Sequence, residues 1–191
     1  MTHSKPFEDG LERCSWLSTD PTYIDYHDTE WGVPVHGDRE MFERISLEGF
    51  QAGLSWISIL KRREGFRAAF NDFEPESVAA MSATDVERLM LDVGIIRNRA
   101  KILSTIQNAK IVLEMQARGE SLSELVWSFR PEPSNRAKSE FSWLAVTPES
   151  QALSKELRLR GFGFVGPTTM YALMQATGMV NDHAPGCFKS V

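Results

Sequence analysis

Three glycines within six residues, Gly161, Gly163 and Gly166, constrain this chain more than any other stretch. A glycine inside a regular helix costs roughly 1 kcal/mol relative to alanine. The segment therefore suits a tight hairpin whose backbone approaches something closely. Upstream, Leu153, Leu157 and Leu159 lie in a predicted helix that begins at Thr147, with Pro148 at its first position. Downstream, Thr168 to Thr177 reads as a helix with Met170, Leu173, Met174 and Thr177 on one face, ended by Gly178. The unit is helix, hairpin, helix. Backbone N–H groups at Gly163, Val165, Gly166 and Thr168 form a candidate cradle for a phosphate oxygen. A plain interhelical turn is the competing reading. The segment closes on His183 and Cys187, two potential metal ligands spaced H-x3-C.

Bulk properties narrow the class. The 191 residues suffice for one large domain or two small ones, and 42% hydrophobic and 25% charged content is ordinary for a soluble globular protein. No apolar run is long enough to span a membrane, and the first residues lack the apolar stretch of a signal peptide. A cytoplasmic location is expected. A reducing cytoplasm argues against a disulfide between Cys14 and Cys187 and leaves metal ligation or two free thiols. The net charge of −5 argues mildly against nucleic-acid binding, but residues 151–191 carry +2 and the rest −7. The positive surplus thus lies beside the glycine hairpin.

Along the chain, residues 1–10 read as a disordered lead-in. Residues 16–31 are rich in aromatics but poorly amphipathic, so irregular structure with a short helix at most is expected there. Asp38 reads as the cap of a helix carrying Met41, Phe42, Ile45 and Leu47, followed by a turn between Gly49 and Gly53. Leu54 to Arg63 reads as the next helix, Asn71-Asp72 and Glu74-Pro75 as further starts, and Thr84 to Glu87 as a capping box. A long helix keeps Ile102, Ile106, Ala109 and Leu113 on one face until Gly119, and Leu122 to Phe129 forms a short one. Residues 131–146 read as a polar surface loop. The expected fold is all-α, with roughly eight to ten helices and no internal repeat.

Several motifs resemble the 3-methyladenine DNA glycosylase I family: Cys14-Ser-Trp16, Tyr23-x-x-Tyr-His-Asp-x-Glu-Trp-Gly32, Leu47-Glu-Gly-x-Gln-Ala-Gly-Leu-Ser-Trp56, Gly94-Ile-Ile-Arg97, Gly161-Phe-x-Phe-Val-Gly166 and Val180-Asn-Asp-His-x-x-Gly-Cys187. The resemblance covers residues 11–188, which it implies form a single glycosylase unit. It implies a helix-hairpin-helix fold that binds alkylated double-stranded DNA, flips a damaged base and releases free 3-methyladenine. It further implies one structural zinc held by Cys14, His27, His183 and Cys187, a ligand set whose two thiolates and two imidazoles leave no open position. Trp16, Tyr23, Tyr26, Trp31 and Trp56 would surround the base, and Glu48 would face its amino group. Gln51, Ala52, Gly53 and Leu54 would form the wedge that fills the vacated stack, although Leu54 also fits a core position.

N3-alkylated adenine is cationic within DNA and a good leaving group, so recognition by electron-rich rings matters more than acid catalysis. Asp182 is the one carboxylate near the hairpin helix; orienting the metal site is as good a role for it as catalysis. No lysine falls between Arg160 and Lys189, which argues against a Schiff-base lyase step in this region. A monomer is expected. A non-catalytic helix-hairpin-helix DNA-binding module is the alternative; a zinc deaminase is disfavoured because the H-x-E…C-x-x-C spacing is absent.

Overall fold

The computed structural model describes residues 3–132 and 141–190. From residue 3 the N-terminal lead-in is ordered rather than disordered. Ser4–Pro6 (β1) pairs antiparallel with Glu12–Cys14 (β2), Ser4 opposite Cys14. The hairpin is tied down at both ends: Ser15 N–H donates to the His3 carbonyl at 2.8 Å, and Phe188 N–H donates to that of Glu12 at 2.8 Å. An irregular-looking terminus orders when its backbone groups find partners. The sequence carries no alternation that could announce so short a strand pair.

Everything else regular among the described residues is helical. Pro21–Thr29 (α1) is capped by Asp20, which accepts from Thr22 N–H at 3.0 Å. It is a nine-residue helix within the stretch where the sequence predicts a short helix at most. Asp38–Gln51 (α2) is the central element, with Phe42, Ile45, Leu47 and Phe50 buried. Its N-cap is Gly37. The Asp38 side chain instead accepts from Ser121 Oγ (2.6 Å) and Ser123 N–H (2.9 Å), so it caps Leu122–Trp127 (α8) across the fold. The helix read from Leu54 to Arg63 breaks at Arg62 into Trp56–Leu60 (α3) and Arg63–Ala69 (α4).

Residues Asn71–Phe73 form a 3-10 turn with left-handed backbone at all three positions, and Pro75 opens Pro75–Ala79 (α5). The capping box of Ala83–Leu91 (α6) uses Ser82 and Asp85, two residues earlier than Thr84 and Glu87. Arg99–Ala117 (α7) packs on α5 and α2. Pro148–Leu159 (α9) begins with the Thr147 cap and Pro148 as read from sequence, and packs against Pro167–Ala176 (α10). Among the described residues no helix is long and apolar enough to cross a membrane.

Gly178, just past α10, joins the two ends of the chain. Its φ is +71°, and a Cβ there would collide with the Gly32 carbonyl and the Pro34 nitrogen. Alongside, Gly32 N–H donates to the Ala176 carbonyl at 3.3 Å. Gly178→Ala combines a left-handed conformation with a backbone clash, so it is expected to destabilise the fold by more than about 1 kcal/mol. A urea midpoint equal to wild type would contradict this account of the close approach.

Candidate active site and metal centre

Four buried residues from three segments converge at one end of the molecule: Cys14 at the end of β2, His27 in the last turn of α1, and His183 and Cys187 after α10. Their ligand atoms all lie within 4.8 Å of one another. Cys187 Sγ is 3.5 Å from His27 Nε2 and 3.6 Å from His183 Nδ1, and Cys14 Sγ is 3.8 Å from His183 Nδ1. A tetrahedral metal with bonds of 2.0–2.3 Å has edges of about 3.3–3.8 Å, and the three sulfur–nitrogen separations match that range.

The outward ring nitrogens are also placed. His27 Nδ1 lies 2.8 Å from Asp28 Oδ1, and Asp28 is itself gripped by Arg13 at 2.7 Å. His183 Nε2 faces the Trp31 carbonyl at 3.3 Å, and a carbonyl can only accept. Each histidine thus keeps a lone pair turned toward the cluster. The neighbouring Cys187 sulfur, and then burial, push the Cys14 thiol far above its ordinary range. Two such sulfurs cannot both ionise without a cation between them. The group could hold a metal ion.

Next to the cluster lies an open cavity of about 330 Å³. Its walls include Trp16, Tyr23, Tyr26, Trp31 and Trp56, all five aromatics singled out from the sequence, together with Glu48 and Gln51. Tyr26 and Trp56 lie 5.5 Å apart between ring centres, Trp16 and Trp31 5.1 Å. The same rings touch the cluster: Trp31 is 4.6 Å from the His183 ring and Trp16 is 5.5 Å from His27. Cavity and cluster share two walls.

Glu48 is 3% exposed, and its Oε2 has no hydrogen-bond partner among the described residues; the same holds for Trp56 Nε1. Burial pushes the Glu48 carboxyl up to about 8, against a weaker opposing pull from Arg44. Arg44 is itself bonded to Glu30 at 3.0 Å, which also holds Arg63, so its charge is largely spoken for. Burial, and secondly the Glu48 charge, raise Tyr26 well above the usual phenol range, and the same two causes raise Tyr23. Both phenols remain neutral donors at pH 7.

The cavity has four walls that sequence reasoning missed: Trp143, Leu144, Ala172 and Gln175. Trp143 and Leu144 come from the segment read as a polar loop, of which residues 133–140 lie outside the described ones. The aromatic content of Phe141-Ser-Trp143 is the available signal. Ala172 and Gln175 stand three apart on α10, on one helical face. Asp182 does not orient the metal cluster through either histidine. Its carboxylate accepts from Tyr171 Oη at 2.6 Å and Gln175 Nε2 at 2.8 Å.

The two elements read as nucleic-acid contacts meet at Lys101. Its ammonium donates to the Phe50 carbonyl (2.9 Å) and the Ala52 carbonyl (2.7 Å) and sits 5.9 Å from the centre of the Phe164 ring. Gln51 ends α2, while Ala52, Gly53 and Leu54 are exposed at its tip; Leu54 is 44% exposed, so it is no core residue. In the glycine hairpin Val165 is buried. The Gly163 amide is not available to a phosphate, because it donates to Asn108 Oδ1 at 2.9 Å, and a Cβ there would overlap the Ser104 hydroxyl. Gly166 is the N-cap of α10 without a side-chain cap, and Thr168 is exposed in the first turn. The basic surplus is smaller than its count: Arg160 pairs with Glu120 and Glu156, leaving Lys155 and Arg158 without an acidic partner among the described residues.

The sequence pattern of the methyladenine glycosylase family matches residues 16–190. The chain belongs to that family. It is 52% identical over 179 residues to DNA-3-methyladenine glycosylase 1 of Escherichia coli K12, covering 93% of this chain and 96% of the relative. A crystal structure of 3-methyladenine DNA glycosylase I superposes with a TM-score of 0.88 at 53% identity, over 92% of this chain and 98% of that one. A third glycosylase of this family, a variant of 3-methyladenine DNA glycosylase I in complex with 3-methyladenine, gives a TM-score of 0.82 at 36% identity, over 91% and 95%.

The raised Glu48 carboxyl makes stability depend on pH in this methyladenine glycosylase. Between about 4.5 and about 8 the folded chain holds a proton that the unfolded chain has released, so Glu48 costs stability progressively as pH rises through that window. Glu48→Gln is expected to remove the slope, making the ligand-free variant the more stable form at pH 8 by on the order of a few kcal/mol, and near parity at pH 4. Urea melts of both proteins across pH 4–9 check this; parallel curves would contradict a buried, neutral Glu48.

Proposed function

We propose that this chain excises 3-methyladenine from alkylated double-stranded DNA by hydrolysing the N-glycosidic bond, as a helix-hairpin-helix glycosylase with no lyase step. The observation that carries this reading is a buried carboxyl, its Oε2 without a hydrogen-bond partner among the described residues, in a cavity whose walls include five aromatic rings. A cationic purine entering that cavity favours the ionised form of Glu48 and so lowers its pKa. It thereby gains a carboxylate partner and the negative faces of the rings. Neutral adenine gains neither. A module that merely bound DNA would have no use for a carboxyl whose burial costs stability, which weighs against the non-catalytic alternative.

The reaction asks little more of the protein. Water adds to C1′ of the sugar as the bond to N9 breaks and gives up one proton to solvent, the bonding pair passes into the cationic ring, and 3-methyladenine leaves neutral. Excision requires the base outside the stack. Leu54, exposed at the tip of Gln51-Ala52-Gly53-Leu54, supplies the apolar wedge, and the amides of Gly166 and Thr168 with Lys155 and Arg158 supply phosphate contacts without reading sequence. Lys101, its ammonium held by two carbonyls, is not placed to form a Schiff base.

The proposed resident metal is one zinc on Cys14, His27, His183 and Cys187. Two thiolates and two neutral imidazoles suit zinc, and four protein ligands leave no position for water, so its role is to fold the chain. Chelation, or Cys187→Ala, is expected to lower the melting temperature. It should also shift tryptophan fluorescence, since Trp16 and Trp31 line both sites. A chain that carries no zinc, or melts unchanged after chelation, would contradict the clasp.

The test of function is release of free 3-methyladenine from methylated duplex. Wild type is expected to release it, and Glu48→Gln to lose roughly 10- to 100-fold in kcat/KM, the loss of one charged hydrogen bond. Duplex binding without base release by wild type would instead favour the DNA-binding module.

A further inference from the structure

Asp182 directly precedes His183 of the cluster and bonds Gln175 of the cavity wall, yet is neither one of the four cluster residues nor a lining residue. Its carboxylate accepts from Tyr171 Oη at 2.6 Å and Gln175 Nε2 at 2.8 Å, and its backbone carbonyl accepts from Trp143 Nε1 at 3.3 Å. Gln175 and Trp143 both line the cavity. Asp182 Oδ2 accepts from both groups, so the Gln175 amide is held with its NH2 toward Asp182 and its carbonyl oxygen turned the other way. No described residue donates to that oxygen.

We propose that Gln175, oriented by Asp182, is a specificity-determining residue that presents its amide carbonyl to the base and selects 6-amino over 6-oxo purines. This rests on the reading of the aromatic cavity as the base pocket. The amino group of 3-methyladenine has two N–H donors. Glu48 offers an acceptor for one, and Gln175 Oε1 offers an acceptor for the other. A 6-oxo purine brings an acceptor to the same edge, where it faces Gln175 Oε1 without a proton between them. Buried groups left unpaired in this way are the strongest source of discrimination between similar ligands. Asp182 is a positioning residue in this scheme: it fixes which end of the Gln175 amide faces the cavity. Through its backbone carbonyl it also seats the Trp143 ring, an aromatic wall outside the motif set.

The experiment titrates 3-methyladenine and its 6-oxo analogue, 3-methylhypoxanthine, into zinc-loaded full-length protein, followed by NMR. The variants are Gln175→Leu, Asp182→Asn and, as a control on the pocket, Trp56→Ala, each compared on preparations that retain their metal. Gln175→Leu is expected to weaken 3-methyladenine binding about 10-fold while leaving the 6-oxo analogue within about 2-fold, collapsing the preference. Asp182→Asn permits the Gln175 amide to turn, since the carboxamide introduced there can both donate and accept, and should shift the ratio the same way by a smaller factor. A merely structural role would weaken both ligands in proportion and leave the ratio unmoved. An unchanged ratio in Gln175→Leu would overturn the proposal. So would an unchanged ratio in Asp182→Asn, by removing the orienting role. If Trp56→Ala also bound 3-methyladenine as tightly as wild type, the cavity would not be the base pocket and the broader reading would fail with it.

Discussion

Placing an ionisable carboxyl among aromatic rings is the constraint to which the rest of this structure answers. Glu48 stands on α2, the helix that also carries Phe42, Ile45, Leu47 and Phe50 into the core. It cannot turn to solvent without withdrawing those side chains. Arg44, one turn earlier, could neutralise it. Instead Glu30 engages Arg44 and Arg63 together and draws that charge away. The result is a carboxyl whose proton is retained near neutral pH and whose Oε2 lacks a partner among the described residues. Unmet hydrogen-bonding capacity in a cavity is a cost in the free protein and an affinity for whatever supplies the missing donor. On the proposed function, that inversion would favour a purine cation over water or adenine.

The cavity is assembled from segments with no local reason to meet. Trp16 follows β2, Trp31 follows α1, Trp56 opens α3, and Gln175 comes from α10. The cysteine–histidine cluster supplies the reason. It joins β2, α1 and the C-terminal segment at one point, whereas a disulfide between Cys14 and Cys187 would join two and leave α1 free. Arg13 extends the clasp outward, bonding Asp9 and Asp28 at 2.7 Å while Asp28 steadies His27. Because Trp16 and Trp31 pack on the two histidines, order at the clasp is passed directly to the walls of the pocket.

Much of this is legible in the sequence where chemistry is written in residue types. The two cysteines and two histidines, the five aromatics and Glu48 stand out in the chain's motifs, and the structure gathers them into two adjoining groups. The failures share another cause: they involve partners distant in sequence. Asp38 looks like a local cap, yet caps α8, because Ser121 and Ser123 lie across the fold. Gly163 looks like an open phosphate contact, yet its amide belongs to Asn108 and its missing side chain makes room for Ser104. Trp143 looks like part of a polar loop because its value lies in Asp182, 39 residues on. The β1–β2 pair is tied down by a backbone bond from Phe188 that no short-range pattern encodes.

Lys101 is another such distant pairing, and it links the two elements proposed to contact DNA. The carbonyls of Phe50 and Ala52 at the end of α2 need donors, and a cation at a helix C-terminus is favoured by the dipole as well. Lys101 satisfies both needs from α7. Its ammonium is almost buried, which is tolerable only because two carbonyls and the Phe164 ring surround it. Phe164 in turn lies against Gly49, where a Cβ would already press on its side chain at 3.2 Å. The tip bearing Leu54 and the glycine hairpin are therefore fixed to one another through a single side chain and a glycine contact. If the hairpin grips phosphate and the tip enters the base stack, as proposed above, this link would hold the two at a constant separation and so aim the displaced nucleotide at Glu48. Lys101 is the side chain that makes the link.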